Sequence, residues 1–231
     1  MKVLITGATG NIGGEVLLQF LQHPSITSVV ALSRRDIPSE SLPNNNKFKN
    51  VIIKDFGHWS QDVMDIIQDA DAMFWAMGTN DTSPGPNFDW PLAFQEAMLK
   101  AREGQTRTTR FRYVHLSGKW VVQDQEAWLL FLQKTRRLKG RAEIVCLEFA
   151  KEHTDTWQTF IIKPGGVVTP NMFGRGLWMM LLGTDWFIQS EQLSAYVAEL
   201  ITMGKEVEGL IYNKRMLEKG QALLQMTAER T

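Results

Sequence analysis

Three glycines near the start of the sequence have the spacing of a phosphate-binding turn. Gly7, Gly10 and Gly13 lie within TGATGNIGG, residues 6–14. A first glycine permits a tight turn, a second lets the backbone approach a ligand, and a third allows a strand and a helix to pack closely. The free N–H groups and positive dipole end of the following helix would then face a pyrophosphate. The alternative is a tight turn that binds no ligand.

Two arginines follow the next apolar run and indicate which dinucleotide this turn would bind. Ser33, Arg34 and Arg35 lie within LSRRD, residues 32–36. NAD-binding turns usually have an acidic residue about 20 residues after the glycines, where it accepts a hydrogen bond from the ribose 2′-OH. Guanidinium groups suit a 2′-phosphate instead, because they donate paired hydrogen bonds to its oxygens. The sequence therefore predicts NADP(H), with two solvated surface arginines as the alternative.

Short apolar runs alternate along the chain with stretches that carry apolar residues at helical spacing. This alternation predicts an α/β fold, a doubly wound parallel sheet (Rossmann fold) with helices on both faces, in one domain covering 1–231. The predicted strands are 2–6, 28–33, 51–54, 71–77, 110–117, 159–164 and 209–212. The predicted helices begin near Ile12 and cover 60–70, 91–102, about 124–151, 191–204 and the end of the chain, with loops at 38–50 and 79–89.

The composition argues against several classes of protein. Lys plus Arg and Asp plus Glu both number 25, so net charge gives no case for a nucleic acid or an anionic membrane as partner. The four histidines show no metal-ligand spacing, and the most apolar late stretch, 177–182, is too short to span a bilayer. The single cysteine, Cys146, and a chain that opens directly on a predicted strand favour a cytoplasmic protein without a signal peptide.

These motifs together resemble the short-chain dehydrogenase/reductase superfamily, most closely its atypical NmrA-like and TIP-thirty-like branch. The resemblance covers nearly the whole chain: VIIKDF (51–56) is similar to the segment that lies against the adenine, AMGT (76–79) to the segment along the ribose, HLSGK (115–119) to the segment carrying the family serine, and IIKPGGV (161–167) to the segment beside the nicotinamide. For Asp55 a cap of its own turn is the alternative. The cofactor contacts that the resemblance implies are Gly7, Thr9, Gly10, Asn11, Ile12, Gly13, Ser33, Arg34, Arg35, Asp55, Phe56, Ala76, Met77, Gly78, Thr79, Lys139, Pro164, Gly165, Gly166 and Val167.

The catalytic tyrosine of that superfamily is missing. FLQKTRRLKG (131–140) aligns with the family's Tyr-x-x-x-Lys segment, so that Lys139 matches the lysine and Thr135 takes the place of the tyrosine. In the family, tyrosine transfers a proton, lysine lowers the tyrosine pKa and holds the ribose, and serine, here Ser117, orients the carbonyl. A threonine hydroxyl cannot replace a phenol whose pKa is about 10. The proton would then come from water, from Ser117 or from a substrate group, with His115 as a further candidate and a buried core histidine as its alternative.

Tryptophans and methionines late in the chain suggest an apolar or aromatic small-molecule substrate. Residues 168–190 form the predicted substrate-side lid, and ordinary core packing is the alternative role for these side chains. We therefore expect an NADPH-dependent reductase of an apolar or aromatic carbonyl or imine. A redox-silent isomerase or cyclase and a non-enzymatic NADP(H)-sensing regulator are the alternatives, and the sequence leaves the oligomeric state open. The predicted pocket residues are Trp120, Trp128, Met172, Phe173, Trp178, Met179, Met180 and Trp186.

Overall fold

Parallel strands form the central sheet of the protein, whose computed structural model describes residues 1–40, 42–169, 186–207 and 209–229. Its strands are β1 Lys2–Thr6, β2 Ser28–Ser33, β3 Phe48–Ile52, β4 Ala72–Trp75, β5 Phe111–Leu116, β6 Trp157–Lys163 and, near the end of the chain, β9 Gly209–Tyr212. Two short strands, β7 Gly166–Val168 and β8 Phe187–Gln189, pair in parallel beside it. The helices are α1 Asn11–Gln22, α2 Gln61–Ile67, α3 Trp90–Arg102, α4 Gln133–Glu152, α5 Ser190–Met203 and α6 Asn213–Ala228.

The order of the strands creates a switch point at the middle of the sheet. The strands lie in the order β3-β2-β1-β4-β5-β6-β9, and Ile5 in β1 pairs with Ala31 on one side and Phe74 on the other. The chain thus runs outward from β1 to β3 and then returns to start again at β4. In open α/β sheets, ligands bind at this reversal, beyond the carboxyl ends of the strands. The predicted doubly wound parallel sheet is confirmed.

Helices cover both faces of the sheet because successive strand residues point to opposite sides. Val3 and Ile5 belong to an apolar cluster with α1, α5 and α6, whereas Leu4 belongs to a second cluster with α2, α3 and α4. Both clusters consist of side chains that the fold removes almost completely from solvent, so burial of apolar surface fixes the helices on the two faces. No helix in the described part of the chain is both long enough and apolar enough to cross a bilayer.

Three predicted boundaries were wrong. The third strand is Phe48–Ile52 rather than 51–54, and the predicted loop at 79–89 contains a π-helical turn, Gly85–Asp89, that leads into α3. The long helix begins at Gln133, not near residue 124, because the preceding residues form turns. Asp124 accepts a hydrogen bond from the Glu126 N–H at 2.9 Å, a local contact that competes with a helix. Leu132, just before the helix, has a left-handed φ of 49°.

Candidate functional site

The glycine turn between β1 and α1 has the geometry that its spacing predicts. Gly7 has a φ of 67°, and a Cβ on it would lie 2.6 Å from the Ala76 carbonyl oxygen. A Cβ on Gly13 would lie 2.1 Å from the Gly7 carbonyl oxygen, so α1 can pack on the turn only with glycine there. At Gly10 the nearest atom to a Cβ is the Gly7 oxygen, at 3.3 Å, and the space beyond is open. The turn therefore leaves a backbone cradle at the start of α1, which fits a pyrophosphate.

A cavity of about 240 Å³ extends from this turn to the end of β2. Arg34 and Arg35 are exposed at its edge, where their guanidinium groups can reach a bound anion. The loop that carries them is anchored by Asn50 in β3, whose side-chain oxygen lies 2.8 Å from Ser33 Oγ and whose Nδ2 donates to Asp36 at 3.1 Å. The cavity is lined by Gly7, Ala8, Thr9, Leu32, Ser33, Arg34, Arg35, Phe56 and Met77.

Asp55 and Phe56 separate in the structure. Phe56 is buried, reaches the cavity and packs its ring against Trp59 and Trp90, with ring centres 5.8 and 5.7 Å away. The Asp55 carboxylate instead accepts a hydrogen bond from the Gly57 N–H at 2.8 Å and is exposed. It therefore caps its own turn, the alternative that the sequence left open, while Phe56 lines the cavity.

The residues after β4 are held by a buried asparagine that the sequence did not single out. Asn87 accepts a hydrogen bond from the Thr79 N–H at 2.9 Å and donates to Thr79 Oγ1 at 2.9 Å and to the Asp81 carbonyl at 3.0 Å. Ala76 is fixed as well, since its N–H donates to Thr6 Oγ1 at 3.1 Å. This places the segment Ala76–Thr79 rigidly beside the glycine turn. Asn87 was missed because it lies inside the segment predicted as a loop.

Thr135 and Lys139 lie one helical turn apart on α4 and both face the end of β4. Thr135 is buried, and its hydroxyl donates to the Asn80 carbonyl at 3.4 Å. The Lys139 ammonium lies 3.8 Å from where a Cβ on Gly78 would be, so it reaches the segment predicted to run along the ribose. Burial lowers the pKa of Lys139, and the nearby Asp81 carboxylate opposes that effect. Thr135 and Lys139 thus both reach the segment that follows β4.

The Ser117 hydroxyl contacts an acidic residue on α4. Its hydroxyl donates to the carboxylate of Glu143, two helical turns beyond Thr135 on α4. Glu143 is completely buried and forms an ion pair with Lys163, whose Nζ donates to both carboxylate oxygens at 2.8 Å. Ser117, Glu143 and Lys163 thus form one connected cluster. A sequence signal for each charged member was present, because Lys163 follows the apolar run Phe160–Ile162 and Glu143 lies four residues after Lys139 on the same helical face.

Two further cavities lie beside Ser117 and share Trp120 and Gly166. One, of about 380 Å³, contains Ser117 in its wall, and the other, of about 370 Å³, is mostly aromatic. The rings of Trp120 and Trp186 are 5.3 Å apart, and the Lys119 ammonium lies 4.2 Å from the centre of the Trp186 ring. The larger cavity is lined by Asn11, Ile12, Ser117, Gly118, Lys119, Trp120, Pro164, Gly165, Gly166, Val167 and Thr169. The aromatic cavity is lined by Trp120, Gly166, Trp186 and Phe187.

Glycine is required at positions 165 and 166 by close packing within the protein. A Cβ on Gly165 would lie 2.3 Å from the Trp186 carbonyl oxygen. A Cβ on Gly166 would lie 2.7 Å from the Phe187 ring. Glycine is needed at both positions because β7 and β8 pair closely, although both residues still line the larger cavity.

Some tryptophans line the aromatic cavity and others are buried in the core. Trp120 and Trp186 line the aromatic cavity as predicted, whereas Trp75 and Trp157 are completely buried in the core. Trp128 is 77% exposed and lies before α4 rather than at its start. The remaining predicted pocket residues, and the larger part of the predicted lid, fall outside the described residues: Met172, Phe173, Trp178, Met179 and Met180.

His115 takes the core role that the sequence left as an alternative. It is 7% exposed, and its Nδ1 lies 3.2 Å from the hydroxyl of Tyr113. Burial, and to a lesser degree the charge of Lys139, lower the pKa of His115 to about 4. The imidazole is therefore neutral near pH 7. Within the described ranges, no group of three or more His, Cys, Asp or Glu residues is placed to hold a metal ion.

We expect His115 to make the protein less stable as the pH falls. Its pKa is about 4 in the folded protein and 6.5 ordinarily, so the unfolded chain binds more protons between those values. The free energy of unfolding should fall by about 3 kcal/mol from this residue between pH 6.5 and pH 4. Urea denaturation of the protein and of His115→Gln at several pH values checks this. In His115→Gln the free energy of unfolding should depend less on pH than in the unmodified protein. His58→Gln, at an exposed histidine, should not show this change. Equal pH dependence in the unmodified protein and in His115→Gln would contradict the lowered pKa of His115.

No protein-family model matches the chain. Two curated relatives are fungal: the chain is 23% identical over 133 residues to "Protein fmp52, mitochondrial" of Aspergillus clavatus, and 24% identical over 169 residues to "Protein fmp52-1, mitochondrial" of Aspergillus terreus. These matches cover 51% and 71% of this chain. The chain spans 57% and 66% of the length of those relatives, which is less than two thirds in both cases.

Solved structures resemble this chain over most of its length. The oxidoreductase ylbE of Lactococcus lactis has a TM-score of 0.68 at 17% identity and covers 97% of each chain. The dTDP-glucose 4,6-dehydratase of Bacillus anthracis, solved in complex with NAD, has a TM-score of 0.64 at 13% identity and covers 97% of this chain and 81% of its own. The short chain dehydrogenases/reductase YIR035C of Saccharomyces cerevisiae has a TM-score of 0.60 at 14% identity and covers 87% of this chain and 89% of its own. At these identities the likeness establishes the fold alone: the chain has the Rossmann-type α/β architecture that these structures share.

Proposed function

We propose that the protein binds NADP(H) along the carboxyl edge of its sheet and reduces a small apolar or aromatic carbonyl or imine compound. One observation carries the cofactor assignment: the open glycine cradle and the exposed guanidinium groups of Arg34 and Arg35 border the same cavity. A dinucleotide with a 2′-phosphate has anionic groups for both ends of that cavity. The NAD in a related structure is a property of that protein, and the choice of NADP(H) rests on the two arginines.

The remaining contacts follow from the positions of the residues around the switch point. Thr9–Gly13 would hold the pyrophosphate at the start of α1, and Phe56 and Met77 would border the adenine side. Lys139 would bind ribose hydroxyls; its proximity to the segment Ala76–Thr79 supports this role. Pro164–Val167 and Ser117 line the neighbouring cavity, where the nicotinamide would lie. When bound, the reduced cofactor supplies the hydride.

The aromatic cavity favours a flat apolar substrate. Trp120 and Trp186 form its wall, and Trp120 also borders the cavity that contains Ser117. A substrate that stacks on these rings can therefore place its reacting carbon beside the proposed nicotinamide position. Ring stacking adds stabilisation beyond the burial of apolar area and restricts the orientation of the substrate.

The experiment is an incubation of the protein with NADPH and flat aromatic carbonyl compounds, namely isatin, benzil and 4-nitrobenzaldehyde, followed at the nicotinamide absorbance. We expect NADPH to be consumed with at least one of them. Binding of NADPH without consumption would contradict the reductase and leave the redox-silent enzyme or the NADP(H)-sensing regulator. A protein that binds neither NADPH nor NADP would contradict the whole proposal.

Alanine variants at Thr135 and Lys139 should affect different properties, turnover in the first case and NADPH affinity in the second. Thr135→Ala should lower turnover by far less than the 10²–10⁴-fold typical of losing a general acid, because its hydroxyl donates to the Asn80 carbonyl. Lys139→Ala should weaken NADPH binding, measured by calorimetry, because its ammonium reaches the ribose segment. Lys134→Ala, at an exposed lysine one residue before Thr135, is the matched control. A folded Thr135→Ala variant that binds NADPH but is inactive would show that threonine has taken over the role of the tyrosine.

A further inference from the structure

We propose that Ser117, Glu143 and Lys163 form a proton relay that replaces the missing phenol, with Ser117 as the catalytic residue at the substrate oxygen. The inference rests on the proposed reductase function and names its proton source. Glu143 and Lys163 act through Ser117 and do not touch the substrate. No other described residue joins the cleft to a buried pair of ionisable groups in this way.

The proposed relay begins at the larger cavity, with Ser117, and ends in the protein core, with Glu143 and Lys163. Ser117 is partly exposed in the wall of the larger cavity, while its hydroxyl contacts Glu143 behind it. Glu143 is completely buried, and the Lys163 side chain is 4% exposed. Ser117 therefore connects the buried pair to the larger cavity.

Every donor in the cluster is engaged, so the geometry is fixed. The Lys163 ammonium donates to the two Glu143 oxygens and to the Val121 carbonyl at 2.9 Å. Gln123 donates to the second Glu143 oxygen at 3.1 Å. The Ser117 backbone is held too, since its N–H donates to the Ile162 carbonyl at 2.9 Å. Such positioning of a hydroxyl over an ionised pair is what proton transfer requires.

A structural role alone does not explain the arrangement. A buried ion pair costs desolvation energy, and apolar residues of similar volume often serve as well or better for stability. The pair could join α4 to β6 without any serine. Here it is extended by a hydroxyl to the cavity beside the aromatic wall, which is where a carbonyl oxygen would lie.

The proton transfers balance as follows. A carbonyl that has received a hydride becomes an alkoxide. The Ser117 hydroxyl turns from Glu143 toward this alkoxide and gives it the proton. Ser117 recovers a proton from Glu143, which has taken one from the Lys163 ammonium; the result is an alcohol and a neutral lysine amine. The overall direction is favourable because an alkoxide is a far stronger base than an amine. A solvent proton restores the ammonium after the product leaves.

A substrate-free experiment tests whether position 117 senses the carboxylate. The only native cysteine, Cys146, is buried, and burial raises its pKa to about 12, so in Ser117→Cys the new thiol is the one that iodoacetamide alkylates near pH 7. Adding Glu143→Gln removes the carboxylate and leaves the Lys163 charge near the thiol, which favours the thiolate. We expect alkylation to become at least tenfold faster. Adding Glu148→Gln, at an exposed glutamate on the same helix, should change nothing. Equal rates in all three variants would overturn the relay whether or not a substrate has been found.

Turnover then separates a relay from a purely structural pair. With NADPH and a carbonyl compound that the unmodified protein reduces, Glu143→Gln should lower kcat at least a hundredfold with little change in KM or NADPH affinity, because glutamine keeps the shape but cannot accept a proton and pass it on. Ser117→Ala should lower kcat by the same factor. The double variant Ser117→Ala/Glu143→Gln should lower kcat no further, as expected for residues that act as a unit. Glu143→Gln alone leaves the buried Lys163 charge unpaired and could unfold the protein. The variant Glu143→Gln/Lys163→Met leaves no unpaired buried charge, so it is measured as well. A folded Glu143→Gln variant with unchanged kcat and solvent isotope effect would refute the relay, whereas no consumption of NADPH by the unmodified protein would refute the reductase itself.

Discussion

Replacing Gly10 by valine is expected to abolish NADPH binding while leaving the protein folded. The nearest atom to a Cβ at this position is the Gly7 carbonyl oxygen, at 3.3 Å, and apart from its chain neighbours no other atom lies within 4 Å, so a shift of a few tenths of an ångström lets the fold accept a side chain there. The branches of valine would instead fill the open space over the start of α1, where the pyrophosphate must approach the backbone. Calorimetric titration with NADPH and circular dichroism of the same sample measure the two parts of this expectation.

The matched control is Gly14→Ala, four residues further along the same helix. A Cβ at Gly14 would lie 3.4 Å from the Ala8 carbonyl oxygen, an ordinary contact, so this variant should keep its affinity for NADPH. Gly13 is unsuitable for the test, because a Cβ there would collide with the Gly7 backbone and unfolding would explain any loss. Unchanged NADPH affinity in a folded Gly10→Val variant would refute the phosphate-binding turn and most of the proposed function with it.

Replacing Arg34 and Arg35 together by alanine should remove the preference for NADP(H) over NAD(H). Hydrogen bonds to charged groups are worth about 1.5–3 kcal/mol each, and both arginines are exposed, so the lower end of that range applies. The expected loss is about 100-fold in NADPH affinity. The affinity for NADH should change little, because NADH has no phosphate at this position.

Lys49→Ala, at an exposed cation on the adjacent strand β3, is the control for a general loss of positive charge. It should leave both affinities within a factor of two or so of the unmodified protein, and higher salt should weaken NADPH binding more than NADH binding. A double arginine variant that still prefers NADPH would place the 2′-phosphate elsewhere.

The sequence predicts the fold and the geometry of the glycine turn, because both depend on local signals. The roles of Gly7, Gly10 and Gly13 follow from spacing alone, and the structure places Arg34 and Arg35 at the same cavity as the turn. Apolar runs long enough for buried strands likewise determine the parallel sheet.

The parts that the sequence did not reveal depend on contacts between distant residues. Glu143 and Lys163 are 20 residues apart and meet only because α4 packs against β6, so no local pattern marks them as partners. The close approach at Gly165 requires the Trp186 backbone, from a strand beyond residues 170–185. The start of α4 depends on side-chain hydrogen bonds around Asp124, which helical periodicity does not register. Tertiary pairing, rather than residue type, decides each of these features.

Calorimetric titration of the unmodified protein with NADPH and, separately, with NADH is the most direct test of the central claim. The open cradle at Gly10 and the guanidinium groups of Arg34 and Arg35 predict one binding site per chain and an affinity for NADPH at least tenfold higher than for NADH. Equal affinities for the two cofactors, or no binding of either, would contradict the account.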